Sequence, residues 1–359
     1  MRNKILFGIL MQAICACSFA QSSMTIYGSL DGGLTYVNNM GGHSNVMLQD
    51  GISKNNAVGF AGVDYLGGGL SALFKLENGY SVGTGALGQG GLLFGKQAYL
   101  GLRRDDVGQV TLGRQYDFTI LLDRYMSCFN CGIYSVENSD IDRVAGERLN
   151  NSVQFQSANL KGFTYGAMYA FGQNAAALTT NAGRAYSANL TYTNGQFSVV
   201  AVLTDINGAP MRAGSLGAPT VLGVKVKSGS TLTLDNQRIA AVGAYYQLGA
   251  WTPSLVYSNT RLKLGSVTST DQILRFGTTY QMSPFIQLDA QLSADRFEQS
   301  HWYTVNCAVD YFLSKRTDVY IELAGQRATG AGAVASIFLT ASSSTSNQFL
   351  ARVGMKHLF

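Results

Sequence analysis

Residues 284–297 read PFIQLDAQLSADRF, and their alternate side chains fall into two sets. Ile286, Leu288, Ala290, Leu292 and Ala294 make an apolar face, while Gln287, Asp289, Gln291, Ser293 and Asp295 make a polar one. A repeat of two residues marks a β-strand with two unlike faces. Such segments recur along the chain, roughly at 24–37, 56–66, 69–81, 92–104, 107–115, 150–157, 161–172 and 184–194, then at 195–205, 236–248, 250–261, 271–281, 284–297, 300–312, 316–328 and 347–359. That makes sixteen strands. Most have the length of about nine to eleven residues that a tilted strand needs to cross a bilayer. Segment 236–248 does not alternate cleanly, so its two faces stay unassigned.

The connections are sorted by length. Short ones sit at 66–69, 104–107, 159–161, 194–195, 248–250, 282–284 and 314–316. The other set, mostly long, is 38–55, 82–91, 116–149, 173–183, 206–235, 262–270 and 329–346. A soluble sandwich has no reason to sort its loops in this way. An up-and-down outer-membrane barrel does, with short periplasmic turns and long extracellular loops. Its interior is too wide to be filled by side chains and holds water. The polar face of 284–297 therefore points inward and the apolar face meets lipid. Segment 316–328 repeats this parity, with Asp318, Tyr320, Glu322 and Gln326 inward and Val319, Ile321 and Leu323 outward. A Lys or Arg facing hydrocarbon near the midplane would cost about 2–4 kcal/mol, so the parity is enforced physically. Tyr27, Tyr36, Phe155, Phe163, Phe171, Tyr280, Phe285, Phe349 and Phe359 lie near strand ends, where aromatic girdles form.

The first twenty residues, MRNKILFGILMQAICACSFA, carry Arg2 and Lys4, then an apolar run, then Ser18-Phe19-Ala20. This is the pattern of a secretory leader cleaved before Gln21, leaving a single domain over 21–359. A lipoprotein leader with Cys17 at the lipidated position is the competing reading, and Cys15 fits it poorly. Removing Arg2 and Lys4 takes the formal charge from +5 to +3, with no basic run, so nucleic acid is not an expected partner. Of five cysteines, Cys128, Cys131 and Cys307 remain. Cys128-Phe129-Asn130-Cys131 has no βαβ context for redox work and too few ligands for zinc. A local disulfide stiffening the loop and a pair of free thiols both stay open. Cys307 falls on the apolar face of Tyr303, Val305 and Val309. The three histidines, His43, His301 and His357, come with no G-x-S-x-G elbow and no HExxH, so an enzyme is not expected. No cofactor or metal set is indicated.

The stretches SMTIYGSLDGGLTYV, DYLGGGLSALFKLENGY, KQAYLGLRRDDVGQVTLGRQYD, ERLNNSVQFQSANLKGFTYGAMYAFG and VGMKHLF together resemble the Gram-negative general porins, in particular the beta-proteobacterial type. The resemblance spans nearly the whole chain after the leader. It implies a sixteen-stranded homotrimer in the outer membrane of a Gram-negative bacterium, in contact with lipid and lipopolysaccharide. Each subunit would be a water-filled channel for passive diffusion of ions and small hydrophilic solutes. A substrate-selective channel and a structural or adhesive barrel are the alternatives. In this family the third long loop, here 116–149, folds inward to narrow the pore. Basic wall residues face acidic groups on that loop, and the field between them sorts ions. Arg114 and Arg148 match two wall arginines, while the position of a third holds Ala57. Lys75, Arg103 and Arg275 are inward by parity and are the remaining basic candidates. Parity puts Arg114 outward with Val110 and Leu112 unless the strand breaks at Gly113. On the loop, Asp123 is the first choice for the acidic partner and Asp117 the second. The excess of inward basic residues points to a weak anion preference.

Overall fold

The computed structural model describes residues 22–126, 131–172 and 181–359. Among these, sixteen strands run up and down in sequence. They are β1 (Ser23–Met40), β2 (Ala57–Gly67), β3 (Leu70–Gly79), β4 (Gln97–Arg104), β5 (Gly108–Tyr116) and β6 (Arg148–Ser157). Next come β7 (Phe163–Ala170), β8 (Ala185–Asn194), β9 (Phe197–Asn207), β10 (Asn236–Tyr246) and β11 (Trp251–Leu264). The last are β12 (Val267–Ser283), β13 (Ile286–Phe297), β14 (Ser300–Phe312), β15 (Thr317–Thr329) and β16 (Asn347–Leu358). Every strand pairs antiparallel with its sequence neighbours, and β1 closes the ring on β16 from Ser29↔Leu358 to Val37↔Leu350. Phe359 completes the seam by exchanging backbone hydrogen bonds of 2.9 and 3.1 Å with Gly28. Closure removes the unpaired edges that a bilayer would penalise.

Side-chain exposure follows the period of two. On β13, Asp289, Gln291, Ser293 and Asp295 are buried, while Leu292 is exposed on the outer surface. On β15, Val319, Ile321 and Leu323 are exposed and Asp318, Tyr320, Glu322 and Gln326 are buried. Cys307 is a free thiol on the outer face. Ring pairs in tilted or edge-on contact mark both rims: Trp251 with Tyr280 at 4.2 Å and Phe163 with Tyr192 at 4.5 Å at the short-turn end, and Tyr169 between Phe171 and Tyr186 at the loop end. Tyr27 departs from the girdle. It points inward, and its hydroxyl donates to Glu77 at 2.6 Å.

Two stretches expected as loops belong to the main sheet. A strand at His43–Asp50 folds back on the upper half of β1 through the Gly41-Gly42 turn, above the level where β2 takes over the pairing. Both glycines have positive φ, as a tight hairpin turn requires. The expected loop 262–270 is the tip of a long hairpin, with strands running to Leu264 and from Val267. Its inner residue Leu262 is fully buried under residues of the 208–235 loop, which explains why the strands overshoot.

The apolar core lies inside the barrel, between the third long loop and one wall. Phe118, Leu122 and Tyr125 of the loop pack on Val200, Val202, Ile239, Ala241 and Val256. This accounts for the missing alternation in β10. Its inward residues Gln237, Ile239, Ala241 and Gly243 are mostly apolar because they seat the loop. Gly243 lets the loop approach closely, since a Cβ there would stand 2.9 Å from the Tyr125 Cβ.

Candidate pore constriction

The third loop enters through a 3-10 helix at Phe118–Tyr125 and carries two further short 3-10 segments at Gly132–Ser135 and Asn138–Asp140. Polar ties fix it along half the ring. Ser187 accepts from the Phe118 N–H at 3.0 Å, and the Tyr125 hydroxyl meets Ser198 at 2.8 Å. Gln237 donates to the Ile141 carbonyl at 2.7 Å and Gln291 to the Ser135 carbonyl at 2.9 Å. The Ile133 N–H reaches the Ile52 carbonyl at 2.9 Å. With the loop fixed on β8–β13 and, through Ile52, beside the upper part of β1, the open lumen lies between it and the remaining wall. There a cavity of about 630 Å³ is lined by Tyr27, Lys54, Glu77, Lys96, Tyr116 and Asp123, among others. A second cavity of about 580 Å³ lies on its loop side, bordered by Glu147, Arg148, Asn150, Phe171 and Arg212.

The candidate residues separate into three groups. Lys75 and Arg148 belong to the open wall. Lys75 stands 3.2 Å from Glu77. Arg148 donates to the Tyr116 hydroxyl at 2.6 Å and sits 4.4 Å from the centre of that ring, a cation–π contact. Arg114 is at the rim beside them. The strand does break at Gly113, where φ is +141° and the pairing with β6 slips by the next residue. Its guanidinium donates to the Gly95 carbonyl at 2.7 Å and to Asn150, and it feels the charge of Arg148. Asp123 lines the lumen cavity on the loop side, open to its water yet enclosed by protein. That enclosure raises its pKa, and Lys54 pulls the other way.

Two candidates serve as structural ties. Arg275 is buried and clamps the loop to β12 by pairing with Glu137 and, at 2.6 Å, with Asp142. Ser258 also donates to Asp142 at 2.6 Å. Asp117 does not reach the lumen. It is fully buried, caps the loop helix by accepting the Thr119 N–H at 3.0 Å, and holds Arg143 at 2.7 Å. Arg103 is inward but lies at the short-turn end, 3.6 Å from Asp105. Cys131 is disulfide-bonded, and Cys128 lies outside the described residues.

Two cations at the cavity escape a reading by parity. Lys54 comes from the irregular 51–56 segment, which turns inward because the Asp31 carboxylate accepts the Lys54 N–H at 3.1 Å and Asn56 accepts the Asp31 N–H at 2.7 Å. Three residues before Ala57, it supplies a positive charge near the wall position where the resemblance places an arginine. Lys96 sits one residue before β4, 3.6 Å from Glu77. Burial, with the repulsion of Arg148 and Lys54, pushes its pKa down to about 8 against the pull of Glu77. Glu77 thus serves two lysines and Tyr27 at once. Among the described residues, Lys54, Arg114 and Arg148 have no carboxylate within ion-pair distance.

A closed barrel of this strand number is matched by known proteins. The family model described as Gram-negative porin covers residues 8–331. The chain belongs to the Gram-negative porin family. Outer membrane porin protein 32 of Delftia acidovorans is 26% identical over 334 residues, covering 90% of this chain and 89% of that protein. An outer membrane porin protein of Bordetella pertussis is 26% identical over 238 residues, and the match spans 62% of that protein and 59% of this chain. Among solved structures, an anion-selective porin from Comamonas acidovorans superposes with a TM-score of 0.78 at 22% identity, covering 94% of this chain and all of that one. The trimer form of OmpT from Vibrio cholerae gives 0.69 at 14% identity, covering 94% and 99%. At these identities the superpositions speak for the fold. The porin is an outer-membrane channel protein.

Proposed function

We propose that this porin lets ions and small hydrophilic solutes diffuse through the passage between the third loop and the β1–β6 wall, with a preference for anions. The observation that carries this reading is the pairing pattern. Among the described residues, Lys54 and Arg148 stand at the passage without carboxylate partners, while Asp117, Glu137 and Asp142 of the loop are spent on buried arginines. Lys75, Lys96 and Arg114 add to the positive side. Asp123 is the acidic group facing it. Unpaired charge in a narrow, poorly screened passage attracts the opposite ion. The anion-selective porin named among the similar structures fits the same sign. A homotrimer is the assembly that the Vibrio protein's trimer form suggests.

Planar-bilayer recording of the purified protein tests this. Stepwise closure in threes and a reversal potential of anionic sign under a chloride gradient are the expected results. Replacing Arg114 and Arg148 together by alanine should move that potential toward cations. An unmoved potential would remove both residues from the aperture, and a silent bilayer would end the channel reading.

A further inference from the structure

We infer that the constriction favours monocarboxylates carrying an apolar body over small inorganic anions. This rests on the anion-passing reading above and names its substrate class. It starts from what the loop presents to the lumen. Of the loop's carboxylates, Asp117 is bound to Arg143, and Glu137 and Asp142 are bound to Arg275. Asp140 is buried and accepts the Ala145 N–H at 3.1 Å, and Glu147 borders the outer cavity. Asp123 is the remaining one at the lumen cavity. Among the described residues the rest of that loop face is mostly apolar, with Ile120 and Ile133 half-buried at the cavity, Met126 and Val136 behind it, and the Ser135 hydroxyl turned back onto the Gly132 carbonyl at 2.7 Å.

The two sides of the passage therefore differ in kind. The wall offers ammonium groups from Lys54 and Lys96, and the loop offers hydrocarbon. A carboxylate with an alkyl or aryl body can meet both at once, its oxygens on the lysines and its carbon against Ile120 and Ile133. Chloride or sulfate can use the lysines alone. Removing carbon from water adds binding roughly in proportion to the area covered. Asp123 opposes Lys54, but Lys75 and Lys96 share the single Glu77 and Arg148 has no carboxylate within ion-pair distance among the described residues, so the wall keeps an excess of positive charge.

The test is block of chloride current by hexanoate and by acetate, which share a charge and differ in carbon. Hexanoate should act at about tenfold lower concentration, equivalent to about 1.4 kcal/mol. Ile120→Asn with Ile133→Asn should bring the two acids to within about twofold. Lys54→Gln should weaken both acids alike. If wild-type channels are anion-selective in chloride but the two acids act at equal concentration, the inference falls and the anion-passing reading stands. If chloride shows no anion preference, that reading fails first. The wild-type comparison needs no variant to fold.

Discussion

Replacing Lys54 by glutamine should lower the anion-to-cation permeability ratio about fivefold at 0.1 M salt. Lys54 is exposed to the lumen, lies on a segment held by Asp31, and has no ion-pair partner among the described residues. A unit charge acting across about 5 Å of water is worth about 0.8 kcal/mol. With a Debye length of about 10 Å at this salt, screening leaves roughly 0.5 kcal/mol. The attraction of an anion and the repulsion of a cation each lose that amount, so their ratio changes by roughly 1 kcal/mol, or about fivefold. The loss also frees Asp123 to act on passing cations, in the same direction. At 1 M salt the Debye length is about 3 Å, and the effect should shrink to less than about twofold. Reversal potentials under a potassium chloride gradient, taken at both salt levels, measure this directly. A ratio changed by less than about 1.5-fold at 0.1 M would refute the placing of Lys54 at the aperture. An effect that does not fade with salt would refute the electrostatic account.

Raising the pH should also weaken anion preference, with a midpoint near the Lys96 pKa of about 8, because lysine is charged below its pKa and neutral above it. Lys96→Arg should hold the preference flat from pH 7 to 9, since the guanidinium does not titrate there; an identical decline in that variant would assign the titration elsewhere. Arg275→Ala leaves Glu137 and Asp142 buried without their cation, a change that costs about 3–5 kcal/mol. Open-channel noise should rise and the detergent-solubilised protein should melt earlier, while adding Glu137→Gln and Asp142→Asn should recover part of both. Quiet channels with wild-type melting in Arg275→Ala would mean that the clamp does not hold the loop.

The barrel was legible wherever one strand face met lipid and the other met polar neighbours, as on β13 and β15. It became illegible where the inner face is covered by protein. On β10, Ile239 and Ala241 point inward to Leu122 and Tyr125, so both faces are apolar and the period of two vanishes from the sequence. That loss of alternation is itself a signal: in a barrel whose other inner faces are polar, an apolar inner face marks the seat of an inward loop. The site was legible only in part for a related reason. Parity orients Lys75 because it lies in a regular strand. It has no meaning for Lys54, which a non-repeating segment carries into the lumen through Asp31. Nor can parity tell a cation that faces solute from one that faces carboxylates, and so it ranked Arg275 with Lys75.

The sign of the channel depends on which charges are paired, and the net count says little about it. On the β12–β16 side the inward cations are neutralised: Arg275 by Glu137 and Asp142, Arg352 by Asp31 at 3.4 Å with Tyr320 at 2.8 Å, and Lys356 by Asp310 at 3.0 Å. Those pairs hold the loop and the seam of the barrel. On the open side, one glutamate serves two lysines, and Lys54, Arg114 and Arg148 have no acidic partner among the described residues. The same few positive charges would give a neutral passage if the acids of the loop faced the lumen. Asp117, Glu137 and Asp142 do not, because burying the loop against an apolar wall required these carboxylates to find arginines within the protein, and Asp123 is left as the loop acid at the lumen cavity. Fixing the loop and selecting the ion are thus one event: the contacts that dock the loop take Asp117, Glu137 and Asp142 out of the passage and leave the wall's cations exposed to solute with Asp123 opposite them.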